Sequence, residues 1–532
     1  MDQANGPWNF ARTRILFVTL TYAKIYSEGF SDPELNRAFE AGLASARSAD
    51  PRECPHYIDG VATRAGEPFT RTDPVDRSRV VAKSWSADKA TIDKAVEAGK
   101  KAFPGWAALS SAERHDIIAA TVPLYKKYRE ELATLVSLEA GKTRAEAYTE
   151  VDECIVVTEL FLKQYRESGD QFTHQLTAPP NAKWAGTVYR PYGVFGVIAP
   201  FNFPLAITSG MAACALMTGN TTVVKPSGLT PACGEAVYKL FLEAGVPAGA
   251  INLVQGGGET GALLAASAID AAIFTGSADA GLDIVAQMTR PPYVRPVIAE
   301  MGGKNPAIVT DTADIEMAAR AITRSAYPYT SQKCTACSRA VVFDSVYDQF
   351  IEALVAEAKP LAVGDPMDES VFDGPVISEQ SVQRFQNAVE LARNEGRVVL
   401  GGGSSAETGN FVDLTIIDGF EHGHRLTRDE LFVPVLSVIK VSDMNQAMAE
   451  ANAIRFGLSA GVFAKDEAQQ KQFLDTIEAG ILMVNSPVGA TTGIWPGNQT
   501  MAGWKSSGTT GKGGYGPYYL QQFVREQSRT IY

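Results

Sequence analysis

A chain of 532 residues, 45% of them hydrophobic, is too long for one compact core, and at roughly 150 residues per domain it implies about three structural units. The formal charge of -12 is spread along the sequence with no Lys/Arg block and no basic stretch interleaved with aromatics, so nucleic acid is not an expected partner. Six cysteines (Cys54, Cys154, Cys214, Cys233, Cys334 and Cys337) are too sparse and irregular for a disulfide framework, which points to a reducing compartment.

Residues 1 to 26 carry Asp2 as their single acid beside Arg12, Arg14 and Lys24, the composition of an untidy extension or, as the alternative, of an organelle-targeting leader. A cytoplasmic location is therefore expected, with the mitochondrial matrix left open. The apolar run Ile15 to Ala23 is far short of the ~20 residues that cross a bilayer, and no membrane partner is expected. From Ala87 to Ala145, apolar residues recur three and four apart, which predicts a helical entry region. The stretch 170–193 has prolines and an alternating pattern, and reads as a strand pair leaving the globule. From Val188, short β-branched runs alternate with helical stretches, predicting a parallel sheet with helices on both faces and ligands at the carboxyl ends of its strands. A second alternation from Pro306 predicts a second sheet. The tail from Gly516 is more apolar and aromatic than a free terminus should expose. With the strand pair it is an expected oligomer contact, the alternative being a tail folded back on its own domain.

Chemistry centres on "SQKCTACSR", residues 331–339, where two thiols lie three apart. They could be half of a metal site, a redox pair, or one nucleophile beside a bystander. A metal needs two more ligands, and the five histidines supply no pair except "HGH", which reads as a polar loop, so no metal is expected. A dithiol centre suits a small βαβ domain rather than a chain with two sheets. A nucleophile needs partners. Glu300 ends an apolar strand before Gly302 and Gly303, fit for a carboxylate facing a cleft, although ordinary turns look the same. Asn202 follows another strand between Phe201 and Phe203, as an oxyanion donor or as a turn asparagine. Lys225 ends a third strand, and Gly276, Ser277 and Gly281 open a helix after a fourth. That is a phosphate-cradling arrangement, but not GxGxxG.

Taken in order, "PFNFP", "VVKPS", "FTGS", "EMGGKN", "QKCTACSR" and "DELFVPV" resemble the motifs of the aldehyde dehydrogenase superfamily, over roughly residues 55 to 532. The resemblance implies an α/β fold of two doubly wound parallel-sheet domains plus a protruding β oligomerisation arm. It divides the chain into an extension (1–28), an NAD(P)-binding domain (29–169 and 192–301), a catalytic domain (302–499), and an arm with tail (170–191 and 500–532). It implies a homodimer or dimer-based oligomer acting on a small aldehyde. Cys334 becomes the nucleophile and Cys337 its bystander. The side chain of Asn202 and the Cys334 N–H hold the oxyanion, and Glu300 activates the water that releases a carboxylic acid. NAD is the implied cofactor, with Lys225 on the adenosine ribose, Ser277 by the pyrophosphate, and Glu430 with Phe432 around the nicotinamide ribose. Pro200, Phe201, Ser227, Gly228, Gly257, Gly261, Phe274, Thr275, Gly276, Gly281, Met301 and Gly302 complete the implied cofactor site. Many NAD-preferring members carry a glutamate where this chain has Gly228, so NADP is expected to be tolerated.

Within the superfamily, residues 29–47, "GKTRAEAYTEVDE", "QKCTACSR" and "GPYYLQQFVREQSRT" resemble the Δ1-pyrroline-5-carboxylate dehydrogenases, which oxidise glutamate γ-semialdehyde to glutamate. That resemblance implies substrate contacts at Phe203 and Thr335, a carboxylate anchor at Gly489 and Ala490, and Glu150 facing the ammonium. One departure stands out. The anchor segment is longer than usual, and Thr500-Met-Ala-Gly503 replaces a Pro-Phe-Gly-Gly motif. Trp495 and Trp504 in that loop could reshape the pocket, so an aromatic, long-chain or other semialdehyde is the alternative substrate. A catalytically silent protein that keeps the fold is the alternative of another class.

Overall fold

Residues 33–405, 407–494 and 496–532 are described in the computed structural model of the chain; the 1–28 extension, with its leader reading, and Trp495 lie outside the described residues. The helical entry appears as expected. Helix Lys89–Ala108 starts at Asp88, whose carboxylate accepts the Thr91 N–H, and Ser111–Ala119 opens with a reciprocal Ser110/Glu113 capping box. Helix Arg129–Ala140 ends at Gly141, in the left-handed conformation that stops a helix. The long α1 (Arg144–Glu167) follows.

Five buried strands form the first sheet: β1 (Val194–Ile198), β2 (Thr221–Lys225), β3 (Ile251–Leu253), β4 (Ala271–Gly276) and β5 (Val297–Met301). All are parallel, in the order β5-β4-β1-β2-β3, extended by the antiparallel hairpin His56–Ile58/Val61–Thr63. Their near-continuous apolar sequences reflect cover on both faces. The order reverses at β1, so a crevice opens between the carboxyl ends of β1 and β4. Helices α2 (Ala206–Met217), α3 (Gly258–Ala266) and α4 (Ala278–Met288) follow β1, β3 and β4.

The second sheet holds β6 (Asn305–Val309), β7 (Cys337–Phe343), β8 (Thr415–Asp418), β9 (Val435–Val441), β10 (Ser459–Phe463) and β11 (Ile481–Val484). These six are parallel in the order β8-β9-β7-β6-β10-β11, with Arg397–Leu400 antiparallel at the β8 edge. Helix α5 (Ile315–Ala326) joins β6 to β7, and α6 (Glu379–Glu395) lies between β7 and β8 in the chain.

Strand Trp184–Pro191 pairs antiparallel with His174–Gln175 on one side and, along eight residues, with Val524–Ile531 on the other. The expected strand pair thus gains a third member from the tail. The rest of the tail corrects the sequence reading. Tyr519, Leu520 and Phe523 are buried in the same core as Phe161 and Phe195, with ring centroids 5.5 Å apart for Phe161–Tyr519 and 5.3 Å for Phe195–Phe523. Burying such side chains on the chain's own body stabilises by about 1.5 to 3 kcal/mol each, which leaves Pro517, Tyr518 and the residues beyond Val524 exposed. Among the described residues no helix is long and apolar enough to cross a membrane.

Candidate active site

The loop between α5 and β7 carries Cys334. Tyr329, Thr330 and Ser331 have φ of +58°, +48° and +59°, a left-handed run that costs of order 1 to 3 kcal/mol per residue and persists only where the surroundings impose it. The surroundings do so. The Thr330 N–H donates to Asp373 (2.6 Å), the Tyr329 hydroxyl to the Ala140 carbonyl (3.1 Å), and the Ile377 N–H to the side-chain carbonyl of Gln332 (2.9 Å). The Cys334 carbonyl accepts from Asn305 Nδ2 at 2.8 Å. Its sulfur faces its own N–H and that of Thr335. Of the six cysteines, all free, Cys334 alone keeps partial exposure; Cys337 is enclosed at the start of β7. No described cluster of three or more His, Cys, Asp or Glu could hold a metal.

Asn202 meets this loop, and the charge of Glu300 reaches its thiol. Glu300, near the end of β5, accepts the Gly514 N–H at 2.7 Å, and burial raises its carboxyl to about 7. Asn202, just past β1, is buried and donates through Nδ2 to the Gln332 carbonyl at 2.9 Å, two residues before the nucleophile. Burial first, then the Glu430 and Glu300 carboxylates, push the Cys334 thiol up to about 12. The sulfur therefore needs a base. Gly303 is required where it stands, since a Cβ there would lie 2.5 Å from the Cys334 carbonyl oxygen.

A cleft of about 1230 Å³ runs from Cys334 and Asn202 across the carboxyl ends of β1, β2 and β4. Every cofactor residue named above lines it except Gly281, which is buried behind Met301, where a Cβ would meet the sulfur at 2.3 Å. Lys225 Nζ lies 3.3 Å from the carbonyls of Gly256 and Gly257, and burial lowers it to about 8. Ser277 caps α4, whose amino terminus faces the cleft. The cleft's size, glycine walls, buried lysine and helix terminus fit a dinucleotide. Arg384 of α6 also lines it, an exposed guanidinium that nothing in the local sequence marked.

The substrate contacts fare differently. Glu150 is wholly buried. One oxygen takes Lys142 Nζ at 2.7 Å, while the other accepts the Leu205 and Ala206 N–H groups at 2.8 and 3.3 Å, capping α2. It has nothing left for an ammonium, which corrects the expectation. Phe203, half-buried, lies under Lys142 Nζ, 3.7 Å from the ring centroid. The anchor is corrected at Ala490, whose N–H is spent on the Ala321 carbonyl of α5 (3.2 Å); Gly489 beside it is buried. Thr491 braces the nucleophile loop by donating to the carbonyl of the buried Thr335 at 2.7 Å. Trp504 pairs with Phe456–Gly457 and is about half exposed instead of lining the cleft. The residue that sequence reasoning missed is Glu153. Of the four carboxylates between 146 and 153, Glu146 is paired with Lys333 (2.7 Å), Glu150 with Lys142 and Asp152 with Arg129 (2.6 Å). Glu153 has no described cation within ion-pair distance and accepts only the Tyr515 hydroxyl, at 3.0 Å. Burial raises it to about 7. Its signal was the helical spacing 146, 150, 153, which puts three glutamates on one face.

The model of the Aldehyde dehydrogenase family matches residues 61–528. The chain belongs to that family. Among its members, the chain is 32% identical over 505 residues to the 1-pyrroline-5-carboxylate dehydrogenase of Geobacillus sp. (strain WCH70), covering 94% of this chain and 96% of that one. The same-named enzyme of Bacillus subtilis (strain 168) is likewise 32% identical, covering 94% and 98%. In structure, the chain is similar to 1-pyrroline-5-carboxylate dehydrogenase from Thermus with bound NAD, with a TM-score of 0.90, 32% identity, and 94% and 97% of the two chains covered. Betaine aldehyde dehydrogenase from Staphylococcus aureus in complex with NAD+ follows at a TM-score of 0.84 and 26% identity, covering 93% and 97%.

Proposed function

We propose that this aldehyde dehydrogenase oxidises L-glutamate γ-semialdehyde, the open form of 1-pyrroline-5-carboxylate, to glutamate in proline catabolism, using NAD. The observation that carries the reading is that Cys334 and Asn202 line one end of a dinucleotide-sized cleft, with the Glu300 carboxylate near enough for its charge to act on the thiol, in a chain whose relatives share that name. Glu300, titrating at about 7, takes the thiol proton as Cys334 Sγ bonds to the aldehyde carbon. The free N–H of the Asn202 amide and the Cys334 N–H face the oxyanion that forms, each donor contributing about 3 to 4 kcal/mol. NAD, when bound against Lys225, Ser277 and the glycines of the cleft, supplies the hydride acceptor. Once it has passed that proton to solvent, Glu300 removes a proton from the water that opens the Cys334 thioester, and returns it to the departing sulfur as the acid is freed. Glu153, a half-buried carboxylate with no described cation within ion-pair distance, receives the substrate ammonium in place of Glu150.

The exposed edge of Val524–Ile531 supports a homodimer or dimer-based oligomer built through the arm. The grouping of strands 194–301 and 305–484 into separate sheets supports the cofactor and catalytic domain division given above. A cytoplasmic enzyme fits the free thiols. The test follows NADH with 1-pyrroline-5-carboxylate, succinic semialdehyde, benzaldehyde and hexanal in parallel, with Cys334→Ala as control. The expected result is fastest turnover of the first and none in the variant. Faster turnover of the apolar aldehydes would overturn the substrate, and activity in Cys334→Ala the mechanism.

A further inference from the structure

The loop 361–377, between β7 and α6 in the chain, touches the nucleophile loop twice. Asp373, which is buried, accepts the Thr330 N–H on one oxygen (2.6 Å) and the Gly374 N–H on the other (3.0 Å), and the Ile377 N–H donates to the Gln332 side-chain carbonyl at 2.9 Å. Each contact bears on one oxyanion donor. Thr330 is the middle of the left-handed run that leads into Cys334, and the Gln332 main-chain carbonyl accepts Asn202 Nδ2 at 2.9 Å. The loop is stiff because its two limbs close on each other: the Phe372 N–H donates to the Ala362 carbonyl at 2.9 Å and the Gly364 N–H to the Asp373 carbonyl at 3.0 Å. Its outer end is held by an element that the chemistry has not yet used. Helix Pro33–Ser48 precedes the stretch matched by the family model and is seated on the body by Phe39 and Leu43, both fully buried. From it, Arg47 makes a two-pronged pair with Asp365 (2.8 and 2.7 Å), and Asn36 donates to Glu369 at 3.2 Å. A forked guanidinium–carboxylate pair fixes orientation as well as distance.

We infer that loop 361–377 is a strap that sets both oxyanion donors, the Cys334 N–H and the Asn202 amide, and that Arg47 is the positioning residue that anchors the strap through Asp365. The inference rests on the reading of Cys334 as nucleophile and of Asn202 as its oxyanion partner. An oxyanion exists only once the sulfur has attacked, so a slack strap lowers turnover and leaves the binding of the cofactor alone. Helix Pro33–Ser48 thereby belongs to the catalytic apparatus although no residue of it lines the cleft.

The test compares steady-state NADH formation by the full chain and its variants, well below the melting temperature of each, on whichever aldehyde wild type turns over fastest, so that a failed substrate reading does not touch it. Arg47→Ala is expected to lower kcat roughly ten- to a hundredfold with KM for NAD within about twofold, the loss that a small misplacement of reacting groups brings. Arg47→Lys, which keeps a cation for Asp365, is expected to recover most of that loss. Asp365→Asn should lose as much as Arg47→Ala, and the double variant no more than either. Arg52→Ala breaks an exposed pair with Glu131 (3.1 Å) that does not touch the strap, and should leave kcat unchanged. Full kcat in Arg47→Ala, with or without a lowered melting temperature, would overturn the inference, as would an equal loss in Arg52→Ala. If Arg47→Ala does not fold, Asp365→Asn decides in its place. A failed nucleophile assignment would appear separately, as turnover by Cys334→Ala.

Discussion

The two sides of Cys334 are built from different materials. On the cofactor side the walls are strand ends and glycines, with Lys225 held by two backbone carbonyls, so the site is shaped mainly by main chain. On the α1 side it is a lattice of buried charge, in which Lys142, Glu146, Glu150, Asp152, Arg129 and Lys333 neutralise one another and leave Glu153 over. A main-chain site accepts any ligand of the right shape, whereas a charge lattice selects by what it leaves unpaired. On the function proposed above, generic chemistry belongs to the first side and substrate choice to the second.

The largest effect is expected where the two sides meet. Glu300→Gln removes the base, and turnover should fall by about 10² to 10⁴. Because a base must be unprotonated to act and Glu300 titrates at about 7, wild-type kcat should climb through that pH, and the climb should vanish in the variant. Next, Glu150→Ala breaks a buried pair and strands the Lys142 ammonium, and should cost about 3 to 5 kcal/mol in denaturant unfolding. A loss of substrate affinity with unchanged stability would instead restore Glu150 to the substrate. Glu153→Gln should raise KM for glutamate semialdehyde by about one to two orders of magnitude, while KM for succinic semialdehyde, which has no ammonium, stays put. The same variant carries an opposite stability effect. The folded state holds the Glu153 proton more tightly than the unfolded chain, so wild type loses stability as pH rises from 4.5 towards 7. Above pH 7 the Gln variant should melt higher. The smallest effect belongs to the main-chain side: with Gly228 offering no carboxylate, kcat/KM for NADP should lie within about tenfold of that for NAD, and a gap beyond about a hundredfold would overturn the expectation.

That contrast also explains what could be read in advance. The parallel sheets were legible because strands covered on both faces are continuous apolar runs, and Asn202 and Glu300 sit beside them in short stretches whose prolines and glycines fix the local chain, with Cys334 just before a strand. Choosing between Glu150 and Glu153 was not a local matter. Both share the inward face of α1, and which one is free depends on the Leu205 and Ala206 amides and on Tyr515, 362 positions away. Ala490 was lost from the anchor for the same reason, since its amide is claimed by Ala321, on a helix far earlier in the chain. The tail aromatics were visible as apolar, but only packing told whether a partner or their own core covers them.

The bond between Glu300 and Gly514 has a consequence for how the protein is made. The two residues are 214 positions apart, and the segment around Gly514 also clasps β5 through Ser507 and Thr509. On a ribosome, the first sheet can close long before that clasp emerges. The nascent enzyme would then have its cofactor crevice and its thiol in place while its water-activating carboxylate still lacks a fixed orientation, so hydrolytic competence arrives last and all at once.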